Sequence, residues 1–215
     1  MTIKLHDMTQ VMQDTTRRGV GSSRWQRPVY KHFLPPCNHA CPAGEDIQGW
    51  LAHAQAGDYE KAWYALTENN PMPAVHGRAC YHPCEGGCNR GSLDDAVSIH
   101  AVERFLGDLA VQNGWRFQSA PSTGKKVLII GSGPAGLSCA YHLARLGHQV
   151  EIREAAAEPG GMMMHGIPAY RLPRQPLKDE IARITSMPGV TLRCGVRVDD
   201  ISQARQQGGF DAVFV

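Results

Sequence analysis

The sequence contains no long apolar segment and no large excess of charge. No apolar run approaches the roughly 18 residues that a membrane-spanning helix needs. The opening MTIKLHDMTQVMQDTTRRG lacks the apolar stretch and small-residue cleavage site of a secretory signal. The formal net charge is +2 and the basic residues are scattered, so nothing indicates a nucleic-acid partner. These absences predict a cytoplasmic protein that contacts neither membranes nor nucleic acid.

The closely spaced C-x2-C pairs of zinc ribbons are also missing, although the chain has seven cysteines. Cytoplasmic thiols stay reduced, so the five cysteines in two short segments are better explained as metal ligands than as disulfides. Cys37 and Cys41 form a C-x3-C pair, and after 38 intervening residues Cys80, Cys84 and Cys88 form C-x3-C-x3-C. Because a proline after cysteine, as follows Cys41, recurs beside iron–sulfur clusters, the pattern favours an iron–sulfur site. A zinc-binding or purely structural cysteine domain remains the alternative.

The character of the sequence changes near SAPSTGKK, residues 119 to 126. Before it, EDIQGWLAHAQAG and DYEKAWYALTENN each place apolar residues on one helical stripe. A third helix is predicted from about Asp95 to Asn113, with a buried face formed by Ile99, Val102, Phe105, Leu106 and Leu109. After it, KKVLII predicts a strand, GSGPAG a turn, LSCAYHLARLG a helix and QVEIRE a second strand. The fold class predicted is α + α/β, an all-helical domain followed by the first part of a Rossmann-like domain.

The turn between the first strand and its helix has the pattern G-x-G-x-x-G. The first glycine permits the tight turn, the second lets the backbone approach a pyrophosphate, and the third lets helix and strand pack closely. Glu154 ends the second strand, 23 residues after the first glycine, where a carboxylate would accept a hydrogen bond from a ribose 2′-hydroxyl. This favours FAD or NAD over NADP; a glycine turn without a nucleotide is the alternative. The predicted contacts at the turn are Gly131, Gly133, Pro134, Ala135 and Gly136.

The segment AAAEPGGMMMHGIPAYRLP, which follows Glu154, resembles the FAD-binding loop of the two-dinucleotide-binding flavoproteins. That resemblance implies that Gly160, Gly161 and Met162 lie along the FAD towards the flavin. It also implies that FDAVFV is the strand before the second FAD contact of that family, a glycine turn that this chain lacks. We therefore expect the FAD-binding domain to be incomplete at its C-terminal end and the 215 residues to be a fragment of a longer polypeptide.

The spacing of apolar residues alone would leave Glu103 at the edge of a helical stripe, solvated or paired with Arg104 or Arg78. However, CNHACPAGEDIQGWL, HGRACYHPCEGGCN and AVSIHAVERFLGD, followed by the nucleotide motif, closely resemble the small (beta) subunit of bacterial glutamate synthase. They also resemble the N-terminal part of dihydropyrimidine dehydrogenase. The resemblance runs from about Arg27 to Val215. It implies an N-terminal extension over 1–26, a helical [4Fe–4S]-binding domain over 27–118, a linker over 119–124 and an FAD-binding domain over 125–215.

The same resemblance implies a ligand set for one complete [4Fe–4S] cluster. These ligands are Cys41, Cys80, Cys84 and Glu103. The family also holds a second cluster, but its leading C-x2-C falls here on Val29 and His32, and valine cannot bind iron. Only Cys37 and Cys88, with His32, remain of that site, so we expect the second cluster to be lost. The alternatives are a site completed by His32 and an external group, and cysteines at 37 and 88 that serve only packing.

These parts together predict an electron-transfer subunit, because flavins exchange hydride or single electrons whereas clusters carry one electron at a time. The resemblance implies that the longer protein oxidises NAD(P)H and that electrons pass through FAD and [4Fe–4S] to or from a larger oxidoreductase subunit. That partner would be a glutamate synthase large subunit or a ferredoxin-linked or metal-dependent oxidoreductase. No side chain needs to act as acid, base or nucleophile. The alternatives are a non-redox docking module with a zinc-binding or metal-free cysteine domain and, last, a free-standing NAD-dependent dehydrogenase.

Overall fold

The computed structural model describes residues 34–215, and its first part is built from helices. A short 3-10 turn, Asn89–Ser92, lies between the fifth and sixth of them. The helices are α1 (Pro36–Ala40), α2 (Ile47–Gln55), α3 (Tyr59–Thr67), α4 (Pro73–Ala79), α5 (Pro83–Gly86) and α6 (Ile99–Gln112). The predicted α2 and α3 are confirmed, whereas α4 was not recognised from the sequence.

Helix α6 differs from its prediction in both its start and its buried face. It begins at Ile99, after Ser98, rather than near Asp95. Phe105 was expected in the core but is 46% exposed and makes an edge-on contact with the ring of Tyr59. The reason is the close packing of α6 against α4: a Cβ atom on Gly107 would lie 2.3 Å from the Ala74 nitrogen. This contact turns Gly107 and Glu103 inward and Phe105 outward, and leaves Val102 and Leu109 half-buried.

The second part of the chain is a parallel sheet with helical crossovers, as the sequence predicted. Its elements are β1 (Lys126–Ile130), α7 (Pro134–Arg145), β2 (Gln149–Arg153), α8 (Met162–His165), α9 (Arg174–Thr185), β3 (Val190–Arg193), α10 (Ile201–Gly208) and β4 (Ala212–Phe214). The strand order is β3-β2-β1-β4. Strands β1 and β2 were predicted, as was β4, whereas α9, β3 and α10 were not assigned.

The topology places a ligand-binding crevice at the end of β1. The chain leaves β1 for β2 on one side and later returns to pair β4 with β1 on the other, with Val127 opposite Val150 and Leu128 opposite Val213. In open parallel sheets, ligands bind at the carboxyl ends of the strands where the direction of winding reverses. The glycine turn follows β1 at that point.

The helical part and the sheet part share one apolar core. Trp63 of α3 stacks on Phe117 at 5.1 Å between ring centroids, and Phe117 meets Tyr141 of α7 edge-on. The Tyr141 hydroxyl donates to the Thr67 carbonyl. Residues Pro36 to Val215 form one compact unit. None of the helices within 34–215 combines the length and apolar character needed to cross a membrane.

Candidate functional site

A cavity of about 500 Å³ lies where the helical part meets the nucleotide turn. Three thiols, those of Cys41, Cys80 and Cys84, line it together with the carboxylate of Glu103. All four ligand positions implied by the family resemblance therefore face one space, although 38 residues of chain separate the first from the second. The opposite wall contains residues of the second part of the chain, which are Pro134, Met163 and Ile167.

The local backbone directs polar hydrogens at the thiols of this cavity. Cys41 directly follows α1, and the backbone N–H groups of residues 43, 44 and 45 point at its sulfur. Cys80 follows α4, and the His82 backbone nitrogen donates to its sulfur at 3.3 Å. His82 itself has a left-handed backbone, with a φ of 52°, which is rare for a residue other than glycine. Hydrogen bonds to ligand sulfur are one of the means by which proteins set cluster potentials.

The thiol of Cys84 and the carboxyl of Glu103 favour their protonated, neutral forms when no cation is bound in the cavity. Burial, followed by the charge of Cys41, raises the pKa of the Cys84 thiol to about 12. Burial, followed by the charge of Glu45, raises the pKa of Glu103 to about 8. Bound iron would reverse this preference, because a metal stabilises the deprotonated forms of its ligands. Three thiols and one carboxyl around a space of this size therefore fit a [4Fe–4S] cluster.

Glu103 is not the solvated or arginine-paired carboxylate that the apolar spacing allowed. It is 5% exposed. Arg78 instead forms a two-bond ion pair with Asp108, at 2.8 and 2.7 Å, and the nearest carboxylate to Arg104 is also Asp108, at 3.7 Å. The two arginines therefore leave Glu103 free to face the cavity.

Cys37 and Cys88 do not line this cavity. Cys37 lies in α1 and packs, half-buried, against the core formed around Ile47 and Trp50. Cys88 precedes the 3-10 turn, and backbone N–H groups, that of Val97 first, lower the pKa of its thiol. The other two positions of the second cluster, Val29 and His32, lie outside the described residues. Within 34–215, no group of three or more His, Cys, Asp or Glu is close enough to hold a single metal ion.

The glycine turn after β1 has the close contacts that its pattern predicts. Gly131 has a φ of +96°, and a Cβ on Gly136 would lie 2.1 Å from the Gly131 carbonyl oxygen. By contrast, a Cβ on Gly133 would meet nothing within 4 Å, so the space above this residue is open. Helix α7 begins at the next residue, Pro134, with Ala135 following it, and its N-terminus faces this space.

Glu154 has a structural role at the turn that the sequence did not reveal. It lies one residue beyond β2. Its Oε2 accepts from the Ser132 nitrogen at 2.8 Å and hydroxyl at 2.6 Å, and its Oε1 accepts from the Ala156 nitrogen at 2.9 Å. Burial opposes ionisation, but these hydrogen bonds outweigh it and lower the pKa of Glu154. The Ala155 backbone N–H contributes to the same lowering of the pKa, so the turn holds the carboxylate on both of its oxygens.

The second glycine pair lies against the first turn. The Gly160 nitrogen donates to the Ser132 carbonyl at 3.0 Å. Gly161 has a φ of +50°, and a Cβ there would lie 2.8 Å from the Gly133 Cα atom. Met162 is 71% exposed, whereas Met163 is buried and lines the cysteine cavity. Met163 could not be identified from the sequence, because three successive methionines do not indicate which of them faces inward.

Fold and site together define a cysteine-rich iron–sulfur domain followed by a Rossmann-like nucleotide-binding domain. Residues 25–115 match the family described as dihydropyrimidine dehydrogenase domain II, 4Fe-4S cluster. Residues 129–172 match the family described as NAD(P)-binding Rossmann-like domain. Both matches agree with the two-part organisation predicted from the sequence.

The chain is homologous to subunits of NAD(P)-linked oxidoreductases, which confirms the resemblance drawn from its motifs. It is 39% identical to the NADP(+)-dependent formate dehydrogenase subunit beta of Moorella thermoacetica, over 87% of this chain and 30% of that protein. It is 38% identical to the dihydropyrimidine dehydrogenase subunit PreT of Salmonella typhimurium, over 84% and 44%. It is 36% identical to the glutamate synthase [NADPH] small chain of Mycobacterium tuberculosis, over 84% and 37%. The chain thus spans less than half the length of these relatives.

Proposed function

We propose that this chain carries electrons between NAD(P)H, FAD and one [4Fe–4S] cluster, to or from a larger oxidoreductase subunit. The observation that carries the proposal is the shared cavity wall. Cys41, Cys80, Cys84 and Glu103 face a space that is also lined by Pro134 of the nucleotide turn. A cluster held by these four side chains and a dinucleotide held at that turn would be neighbours, as electron exchange requires.

The residues of the chain have distinct tasks in this proposal. When bound, FAD supplies exchange of a hydride or of single electrons and the cluster supplies one-electron transfer. The open backbone at Gly133 and the N-terminus of α7 would hold the pyrophosphate, and Glu154 the ribose. Gly160, Gly161 and Met162 would follow the cofactor towards the flavin. Apolar side chains on the cavity wall, such as Val75 and Ile99, would pack against the cluster and limit its contact with water.

The partner is proposed only as a class. The three relatives carry different names, for formate, dihydropyrimidine and glutamate enzymes, but each is named as a subunit or small chain. We therefore propose only that the partner of this chain is a larger oxidoreductase subunit. A glutamate synthase large subunit and a ferredoxin-linked or metal-dependent oxidoreductase all fall within this class.

The proposal is tested by iron, sulfide and flavin analysis of the full-length protein purified without oxygen, followed by EPR of the dithionite-reduced sample. We expect about four irons per FAD and one reduced-cluster signal. About eight irons would contradict the single-cluster part, because the second cluster would then be present. Zinc in place of iron, or no metal, would contradict electron transfer and favour a docking module.

Replacing Gly133 by alanine should separate nucleotide binding from folding. The added methyl group meets no protein atom within 4 Å, so the melting temperature of the flavin-free protein should stay close to that of the wild type. The same methyl group would occupy the place of closest approach to the pyrophosphate, and we expect FAD affinity to fall by about tenfold or more, about 1.4 kcal/mol. FAD titration followed by flavin fluorescence measures this.

Gly86→Ala is the matched control for Gly133→Ala. Gly86 also has open space where a Cβ would lie, but it belongs to α5, away from the turn. It should leave FAD affinity unchanged. Equal affinities of the two variants would contradict the assignment of the turn as the pyrophosphate site.

A further inference from the structure

Asn70 is a buried amide in which every hydrogen-bonding position is used. It follows α3 and is 1% exposed. Its Nδ2 donates to Glu45 Oε1 at 3.0 Å and to Glu103 Oε1 at 2.6 Å. Its Oδ1 accepts from the Met72 nitrogen at 3.1 Å and lies 2.6 Å from Nδ1 of His76. These four contacts match the two donor hydrogens and two lone pairs of an asparagine amide.

The surroundings of Asn70 permit one orientation of this amide. The Met72 N–H can only donate, and the two carboxylates act as acceptors. If the amide were turned by 180°, its NH2 group would face the Met72 N–H and its oxygen would face the carboxylates. Burial, followed by the charge of His82, lowers the pKa of His76 to about 4, so that ring is neutral. A neutral ring with its hydrogen on Nδ1 donates to Asn70 Oδ1, which completes the set.

This network distinguishes the two oxygens of Glu103. Oε1 is held by Asn70, while Oε2 lies 3.9 Å from Nε2 of His82. That nitrogen is buried and has no hydrogen-bond partner within residues 34–215. Both Glu103 and His82 line the cysteine cavity. Oε2 is therefore the oxygen left for a further partner.

We propose that Asn70 is a positioning residue for the cluster: it fixes Glu103 through Oε1 and thereby presents Oε2 as the oxygen that binds iron. This inference rests on the proposed function. Glu45 completes the arrangement as the second acceptor of the same amide, and the Trp50 ring nitrogen holds its other oxygen at 3.3 Å. Loss of the Asn70 donor would leave the Glu103 carboxylate with more negative charge at the iron, which lowers the reduction potential of a cluster.

The test replaces the donor group of Asn70, its NH2, and keeps its acceptor oxygen. Asn70→Asp retains an oxygen for Met72 and His76 but places a carboxylate against Glu45 and Glu103. Combining it with Glu45→Gln restores the total charge, because the new amide at position 45 can donate to the new carboxylate at position 70. The double variant therefore restores that hydrogen bond and still lacks the donor to Glu103.

In the anaerobically purified full-length protein, we expect the double variant to melt close to the wild type. Its cluster midpoint should be lower by about 59 mV, which corresponds to a tenfold change in the ratio of oxidised to reduced cluster. A three-iron EPR signal in the oxidised sample would also support the inference, since it reports that Glu103 has left its iron. A wild-type midpoint and wild-type EPR lines in the double variant would show that Asn70 only stabilises the fold, and would leave the proposed function standing.

Asn69→Asp is the control for the added charge in the single variant. Asn69 is exposed, and its amide donates to the carbonyl oxygens of Ala43 and Gly44 at 3.0 and 3.1 Å rather than to a carboxylate. It should shift the midpoint by less than half as much as Asn70→Asp. Equal shifts would overturn the inference, because any nearby charge would then have the same effect. Absence of iron and sulfide from the wild type would overturn both this inference and the proposed function.

Discussion

Replacing Cys84 by serine is expected to remove the cluster. Cys84 is 6% exposed in α5, and its thiol faces the cavity beside Cys41 and Glu103. A serine hydroxyl cannot supply the thiolate that iron prefers. Cluster iron should fall by about tenfold or more, because replacing residues that merely support metal ligands already costs about 10–100-fold in metal affinity. Iron and sulfide analysis with EPR measures the loss.

Three other cysteines serve as controls for Cys84→Ser. Cys139 lies half-buried on α7 and packs against the core away from the cavity, so Cys139→Ser should keep full iron content. Cys37→Ser and Cys88→Ser should also keep it, because the single-cluster proposal gives these residues no iron. Iron lost equally in all four variants would contradict the assigned ligand set, since it would point to general unfolding.

Replacing Glu180 by alanine is expected to destabilise the protein by about 3–5 kcal/mol. This carboxylate on α9 is fully buried. Its Oε1 accepts from the Ala74 nitrogen at 2.9 Å, in the first turn of the helix that leads to Cys80, and its Oε2 accepts from Arg183 at 2.8 Å. Its loss would leave an unpaired helix N–H group and the buried guanidinium of Arg183, which lies over the ring of Trp63. Anaerobic urea unfolding followed by tryptophan fluorescence measures the cost.

Glu158→Ala provides the matched control for Glu180→Ala. Glu158 pairs with Lys178 at 3.5 Å, but both side chains are more than half exposed. Exposed ion pairs contribute less than about 1 kcal/mol, so this variant should unfold near the wild-type midpoint. Similar decreases in the free energy of unfolding of the two variants would contradict the idea that α9 holds α4 in place through a buried carboxylate.

The cost of Glu180→Ala should also depend on pH. Burial raises the pKa of Glu180 from 4.5 to about 7, with the Arg183 charge opposing the rise. Between these pH values the folded protein binds more protons at this site than the unfolded chain does, so stability contributed by the group decreases as pH rises. The difference in unfolding free energy between wild type and Glu180→Ala should be larger at pH 5 than at pH 8. A difference that increases with pH would contradict a buried, proton-binding carboxyl.

Much of the architecture follows from patterns that are local in the sequence. The glycine spacing at 131–136 identified the nucleotide turn, because each glycine is required by close contacts with residues or a ligand near it in the chain. The apolar stripes identified α2 and α3, and the buried run KVLII identified β1, because these periodicities depend only on the backbone geometry of one element. The predicted ligands of the complete cluster did come together in one cavity. Their roles as ligands, like the domain boundaries, remain predictions.

The contacts between elements required the tertiary structure. The apolar periodicity of α6 predicted Phe105 in the core and Glu103 at its edge. This pattern contains no information about how closely two helices approach each other. The backbones of α4 and α6 meet at Gly77 and Gly107, where added Cβ atoms would lie 2.6 and 2.3 Å from the facing helix. That approach rotates α6 so that Glu103 meets Asn70, 33 positions away.

By itself, the sequence determined the kinds of part present: a helical cysteine domain, a parallel nucleotide-binding unit and the residue types that could hold cofactors. Only the tertiary structure decided which carboxylates are buried, which amide orients Glu103, and that Pro134 and Met163 form a wall of the cysteine cavity. The reason is physical. Secondary structure follows from short-range sterics and the apolar pattern, whereas the surroundings of a buried polar group depend on residues far apart in the chain that meet only after the helices and sheet have packed.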